Sequence, residues 1–390
     1  MKPSYSGLLI KGGRSLISLP GKLEDTIMAD VFKHWAYLHT IPEVGMHEFK
    51  TSRYVADVLK KAGYEVEEHV GGATGVIGVL DSGKPGPVLG LRSDMDALGT
   101  VEHAAHLCGH DAHMSMLLTA AEEIKEEGLV KKGKLKVLFQ PSEEIGDGAL
   151  SMLKGGAVDD VDILIGMHLR PIQECRVGQA APALYYSSAA HVVIDVEGKQ
   201  SHGARPYLGV SALDAGALIV QAANALRFNS NIVNNLKATR FISDCGVMNA
   251  VPGKAQLVFD LRSQDNDLME TMLERLHKAA DGAAASVGAS IKWTLHNMTP
   301  ASIITPEVTD MIADVIREEL GENALVPPIT TAGGEDFFWF PKKKPSLKTG
   351  FIALGADVEP GLHDPNMHFN HDCMPNGVKL HKGAVKKILG

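Results

Sequence analysis

Four short apolar runs, at residues 76–80, 87–92, 134–139 and 161–167, are set among stretches whose apolar positions recur at helical spacing. A short run of Val, Ile and Leu without alternation suits a strand buried on both faces, and strands separated by helices tend to pair in parallel. Ile27, Val31, Trp35 and Leu38 mark one helix over 25–39, Val55, Val58 and Leu59 a second over 51–62, and residues 113–127 read as a third. This rhythm predicts an α/β architecture with a mixed, largely parallel sheet flanked by helices.

After about Val177 the rhythm changes. Residues 191–197 alternate like a half-exposed strand, 211–226 read as helix, 255–262 again as strand and 268–285 as a long amphipathic helix. The pattern predicts a smaller α+β domain inserted at residues 179–295. From Pro306 the first rhythm resumes, with a helix through Leu320, a strand near 351–355 and a closing helix over 377–389. The larger domain is thus expected to be discontinuous, built from 1–178 and 296–390, and a chain of 390 residues exceeds the size at which one core usually stops growing.

Composition removes several classes of function. A formal charge of -9 disfavours a nucleic-acid or acidic-membrane surface, which needs clustered Lys and Arg, and the short basic run Lys342 to Lys344 reads as a solvated loop. Four cysteines, Cys108, Cys175, Cys245 and Cys373, are too few for a disulfide framework and suit a reducing, cytoplasmic location. Lys11 to Arg14 interrupt the Leu8-Leu9-Ile10 patch before a signal-peptide core can form, and no apolar stretch is long enough to span a membrane.

The chemistry gathers at predicted strand ends. Cys108, Gly109 and His110 bring a thiol and an imidazole to one turn, and Asp111 and His113 are placed to orient metal-bound imidazoles. A free cysteine is commonly a small buried hydrophobe, but His106, His110, Asp111 and His113 beside it favour a metal site. Glu143 and Glu144 follow the strand ending at Phe139. Adjacent carboxylates there repel unless one binds a cation and the other exchanges protons, so Glu144 reads as a ligand and Glu143 as the general base and acid. His168, after an apolar strand, and His363 supply the remaining ligands, with His368 and His371 competing for the role of His363, and His103 and His106 competing near Cys108. The Arg92-Ser93-Asp94-Met95-Asp96 run also ends a strand, where open α/β sheets place ligands.

With these residues in place the chain resembles the M20 family of metallopeptidases, in particular its amidohydrolase branch of N-acyl-amino-acid amidohydrolases, hippurate hydrolases and auxin-conjugate hydrolases. The likeness runs in order through Leu38-His39-Thr40-Ile41-Pro42-Glu43 with Glu48, Asp94-Met95-Asp96-Ala97-Leu98, Cys108-Gly109-His110-Asp111, Phe139 to Glu144, Gly166-Met167-His168, Gly333 to Phe337 and His363-Asp364-Pro365. The resemblance implies two divalent cations (Zn, Mn, Co or Ni) on Cys108, His110, Glu144, His168 and His363, with Glu143 activating water. It implies that the insert is a lid and dimerisation domain, that His202 stabilises the oxyanion, often in the site of a partner subunit, and that Asn249 and Arg262 hold substrate. The partners it implies are a small N-acyl amino acid or dipeptide and a second copy of the chain.

Two departures stand out. The segment between Leu98 and His106 is shorter than in that branch, which bears on pocket shape, and Tyr207 replaces a common histidine. The expected reaction is hydrolysis of an N-acyl amino acid. Alternatives are a dipeptidase, carboxypeptidase or N-acetyl-diaminopimelate deacetylase with the same site, a non-catalytic metal-binding homologue, and a cysteine hydrolase that would leave the glutamate pair unexplained.

Overall fold

The computed structural model describes residues 23–390; the apolar patch at Leu8 to Ile10 and the question of a leader lie outside the described residues. The larger sheet contains β1 (Glu65–Val70), β2 (Gly75–Asp81), β3 (Val88–Asp94), β4 (Lys134–Gln140), β5 (Ile163–Pro171), β6 (Ala180–Ala181) and, late in the chain, β11 (Lys348–Val358). Its order is β1-β2-β4-β3-β5-β11-β6. The four central strands β4, β3, β5 and β11 are parallel, while β1, β2 and β6 pair antiparallel. The α/β expectation holds, although the apolar run at 76–80 pairs antiparallel as β2 and the fourth parallel strand is β11, from late in the chain.

The second sheet contains β7 (Ser188–Glu197), β8 (Asn234–Ile242), β9 (Lys254–Ser263) and β10 (Ser290–Thr299), in the order β8-β9-β7-β10 and antiparallel throughout. Two helices cover it, Ala212–Ala225 and Asn266–Ala285. Residues 188–299 therefore supply this sheet, while Ala180 and Ala181, inside the segment expected as an insert, extend the larger one.

Helices α1 (Leu23–Leu38), α2 (Phe49–Lys61), α3 (His110–Glu126), α4 (Pro306–Leu320) and α5 (Met374–Leu389) contribute buried residues to one large core with the sheet, including Val31, Leu59, Leu117, Ile316 and Val385. A second core gathers Phe337, Phe338, Phe340 and Phe351 with Leu138 and Leu164. Helix α3 is buried on nearly every side, from His110 through Ala121, so its N-terminal residues are held rigidly against the parallel strand ends. No helix among the described residues is long and apolar enough to cross a membrane.

Candidate metal centre and active site

The C-terminal ends of β3, β4 and β5 deliver the key side chains to one point. Gly109, at φ 86°, turns the chain into α3, a left-handed conformation that glycine adopts without a Cβ penalty. Cys108 and His110 flank it. The His110 Nδ1 lies 2.9 Å from the carbonyl oxygen of Asp96, so this nitrogen carries the hydrogen and donates, leaving Nε2 as a lone pair without a hydrogen-bond partner among the described residues. In His168, Nδ1 lies 2.7 Å from the Leu169 carbonyl and Nε2 is 3.4 Å from the Cys108 Sγ.

Glu143 and Glu144 are held by their backbone. Their N–H groups donate to the two carboxylate oxygens of Asp96, each at 3.0 Å. Ser142, just before them, sits at φ 58°, and its N–H donates to Glu48 at 2.8 Å. One Glu144 oxygen is 3.4 Å from His363 Nε2; the other is 3.8 Å from His110 Nε2, buried and without a hydrogen-bond partner among the described residues. His363 arrives from a distant loop at φ 67°, anchored by its N–H to the Leu107 carbonyl at 2.7 Å.

Donor atoms of Cys108, His110 and His168 converge, as do those of Cys108, Glu144 and His363, and those of His110, Glu143 and Glu144. The set fits a pair of borderline divalent cations. It offers a thiolate, imidazoles and a carboxylate, with two buried lone-pair atoms that nothing among the described residues satisfies. Burial, with Glu144 adding to it, pushes the Cys108 thiol up to about 12, so it would ionise only beside a cation. Burial, then His113 and Arg170, hold His168 well below the usual imidazole range, which keeps it a neutral ligand. Burial, then Glu335 and Glu144, raise the Glu143 carboxyl well above its ordinary value.

A buried charge network lies behind these residues. The fully buried Arg92 donates to Gln140 at 3.0 Å, Asp94 at 2.8 Å, Glu335 at 3.0 Å and Asp336 at 3.2 Å. Asp94 in turn meets His113 Nδ1 at 2.8 Å, and His113 Nε2 accepts from the Leu169 N–H at 3.0 Å. Both nitrogens of His113 are thus engaged, and it braces the strand carrying His168. Asp111 corrects the sequence reading. Successive helical residues point about 100° apart, so beside His110 it faces α1 and pairs with His39 Nδ1 at 2.7 Å, while a backbone carbonyl orients His110.

A cavity of about 430 Å³ adjoins the centre, lined by Cys108, Glu143, Glu144, His168 and His363 together with Arg262, His191 and Tyr186. Arg262 is paired with Asp260 at 2.9 and 3.0 Å, and His191 approaches the same carboxylate at 3.0 Å. His202, on a small ladder with Ala250, and Asn249, in the turn just before it, are exposed and do not line this cavity; the Asn249 carbonyl accepts from the Gly203 N–H at 2.6 Å. The short segment after Leu98 closes as a tight hairpin, Leu98–Gly99 against Ala104–Ala105, carrying His103 away from the cavity. His106 and His371 instead line a separate cavity of about 220 Å³ with Trp35 and His39.

Asp96, Arg92, His191 and Tyr186 were not assigned roles from the sequence. A signal existed for two of them, because Arg92 and Asp96 bound the strand-end run named above.

The profile of Peptidase family M20/M25/M40 matches residues 90–387, and the chain belongs to that family. The hippurate hydrolase of Campylobacter jejuni is 28% identical over 368 residues, covering 90% of this chain and 94% of that protein. Thermostable carboxypeptidase 1 of Saccharolobus solfataricus is 28% identical over 372 residues, covering 90% and 92%. A solved structure described as a dinuclear metal binding peptidase from the M20 family, from Bacillus subtilis, superposes with a TM-score of 0.79 at 21% identity over 94% of this chain and 99% of that one. The family read from the ordered motifs is the family found, and the chain is a hydrolase of amide bonds.

Proposed function

We propose that the protein is a metal-dependent amidohydrolase that cleaves N-acyl amino acids, or amino-acid conjugates, to a carboxylic acid and a free amino acid. One observation carries the reading: Cys108, Glu144, His168, His363 and Glu143 line a single cavity that Arg262 and His191 also line, and His110 converges with them on the same donor clusters. Cys108, His110, Glu144, His168 and His363 would hold two cations, Zn, Mn, Co or Ni by donor chemistry, in keeping with the dinuclear description of the Bacillus subtilis relative. When bound, such a pair polarises the amide carbonyl and makes water a better acid.

The chain's own groups do the rest. Glu143 takes the proton of the attacking water and returns it to the leaving nitrogen, an exchange suited by a carboxyl raised through burial and neighbouring acids. Asp96 holds the Glu143 backbone still while this happens. Asp260 occupies two of the five N–H donors of Arg262, and the others are available to a substrate carboxylate. Residues 188–299 act as a lid, and His202 and Asn249, outside this chain's cavity, serve the site of a second copy, where His202 donates to the developing oxyanion.

The test is amino-acid release by Zn²⁺- or Mn²⁺-loaded protein from N-acetyl, N-benzoyl and longer N-acyl amino acids beside free dipeptides. Glu143→Ala is expected to lower turnover by at least 10² to 10⁴-fold, roughly the worth of general acid-base assistance, while leaving metal content unchanged. Full activity in that variant would refute the assignment. Release from dipeptides alone would instead support the carboxypeptidase reading suggested by the Saccharolobus relative.

A further inference from the structure

Two residues that line the cavity carry buried hydroxyls with no protein partner among the described residues. Tyr186 is 5% exposed and Thr299 8% exposed, both line the cavity, and neither the phenol oxygen nor Oγ1 makes a hydrogen bond. A buried hydroxyl left unmade is costly, so a group arriving with the ligand is the natural partner. Packing fixes both positions. The Tyr186 ring stands edge-on to Phe351 at 5.5 Å and against Phe338 at 6.1 Å, which holds its hydroxyl in place. Burial keeps this phenol well above its ordinary range, so it remains a donor at working pH.

Thr299 is placed by register. It pairs with Ala189 of β7, which pairs with Arg262 of β9, so the three stand in one row across the sheet. With neighbouring strands about 5 Å apart, the Thr299 and Arg262 positions are about 10 Å apart, comparable to an N-aroyl amino acid from its carboxylate to the far edge of its ring. Gly333 and Gly334 lie against both hydroxyl-bearing residues. A Cβ at Gly334 would come 2.6 Å from Thr299 Oγ1, so a side chain there would crowd that hydroxyl, while Gly333 packs beside the Tyr186 ring.

We infer that Tyr186 and Thr299 form the polar end of the acyl subsite, and that the acyl group of the substrate carries a hydrogen-bonding atom of its own beyond the scissile amide. The inference rests on reading the cavity as an N-acyl amino acid site, with Arg262 taking the carboxylate. A hydroxyl, amino or carbonyl substituent on an aromatic acyl group meets the requirement. A plain alkyl or phenyl acyl group would leave both hydroxyls unpaired and should be disfavoured.

The test compares N-benzoylglycine with its 3-hydroxy and 4-hydroxy benzoyl analogues in wild type, Tyr186→Phe and Thr299→Val, all metal-loaded. The better hydroxylated isomer is expected to show kcat/KM about tenfold above N-benzoylglycine, and at least one substitution should bring that ratio toward one. Both substitutions are nearly isosteric and remove an unsatisfied hydroxyl, so the melting temperature should hold or rise. A ratio near one in wild type, a ratio that neither substitution changes, or equal losses on all substrates with a lower melting temperature would overturn the inference. Calorimetric binding of the same compounds to Glu143→Gln separates the two readings. A binding preference that is lost with Tyr186→Phe, in a protein whose wild type cleaves none of them, would keep the subsite and refute amide cleavage of this class.

Discussion

Glu48 illustrates how a residue outside the reacting centre shapes it. The side chain is fully buried, accepts the Ser142 N–H at 2.8 Å and the Thr74 hydroxyl, and so fixes the turn before Glu143. Burial pushes its carboxyl up to about 7, with Asp96 adding to the shift and the hydrogen bonds opposing it. The folded protein therefore keeps a proton that the unfolded chain releases near its ordinary value of 4.5. Stability from this group falls as pH rises from about 4.5 to about 7 and is level above, a loss of roughly 3 kcal/mol. Glu48→Gln should remove that part of the slope, so its stability relative to wild type, from urea unfolding at pH 5 and pH 8, should increase with pH; an unchanged difference would show that Glu48 does not carry the proton. Individual residues of the centre were legible in sequence because chemistry demands unusual neighbours, as in Cys108-Gly109-His110 and Glu143-Glu144. The choice of His363 over His368 and His371 came only from the order of the family's motifs, because the fold makes it by a loop docking on Leu107, a contact between residues far apart in the chain.

At the scale of elements, strongly apolar strands were found and polar ones were missed. β1 reads Glu-Val-Glu-Glu-His-Val, and β8 and β10 carry Asn, Lys, Arg and His, since strands at sheet edges are covered on fewer sides and show little apolar signal. The omission of β10 is also why the insert was ended at 295, short of the Thr299 that closes the second sheet. The start of α3 was placed at His113, whereas the helix begins at His110, so the sequence reading missed that the helix itself carries His110. Gly109 makes this possible, and an alanine there would strain the backbone at φ 86° and bring Cβ within 2.8 Å of Leu169 Cδ1. Gly109→Ala should cost about 1–2 kcal/mol for the left-handed conformation alone. Because Cys108 and His110 flank that position, metal affinity measured by competition with a chelator should fall as well. Unfolding curves and metal retention equal to wild type would show that the turn relaxes without moving its neighbours.

The whole molecule poses a problem of completeness, because two of the residues expected to meet substrate stand outside the cavity that Glu143 and Arg262 line. His202 and Asn249 lie on the smaller sheet's side of the chain, and that side also exposes Leu213, Leu218, Phe241 and Ile242 on the helix Ala212–Ala225 and on or beside the edge strand β8. An edge strand with an unpaired ladder beside an apolar helix face is a surface that a second copy can cover by two-fold pairing. If the copies then exchange His202, neither a His202→Ala protein nor a Glu143→Gln protein should turn over substrate alone. A mixture allowed to exchange subunits should. Each mixed dimer joins the Glu143 of one subunit to the His202 of the other in one site and leaves its second site doubly defective, so equal mixing should restore about a quarter of wild-type activity. Sedimentation at assay concentration should show a dimer, and Leu218→Glu should shift it toward monomer and remove the restored activity. Failure of the mixture to regain activity, with subunit exchange verified by mass-tagged chains, would place His202 in its own subunit's reaction or outside the reaction altogether.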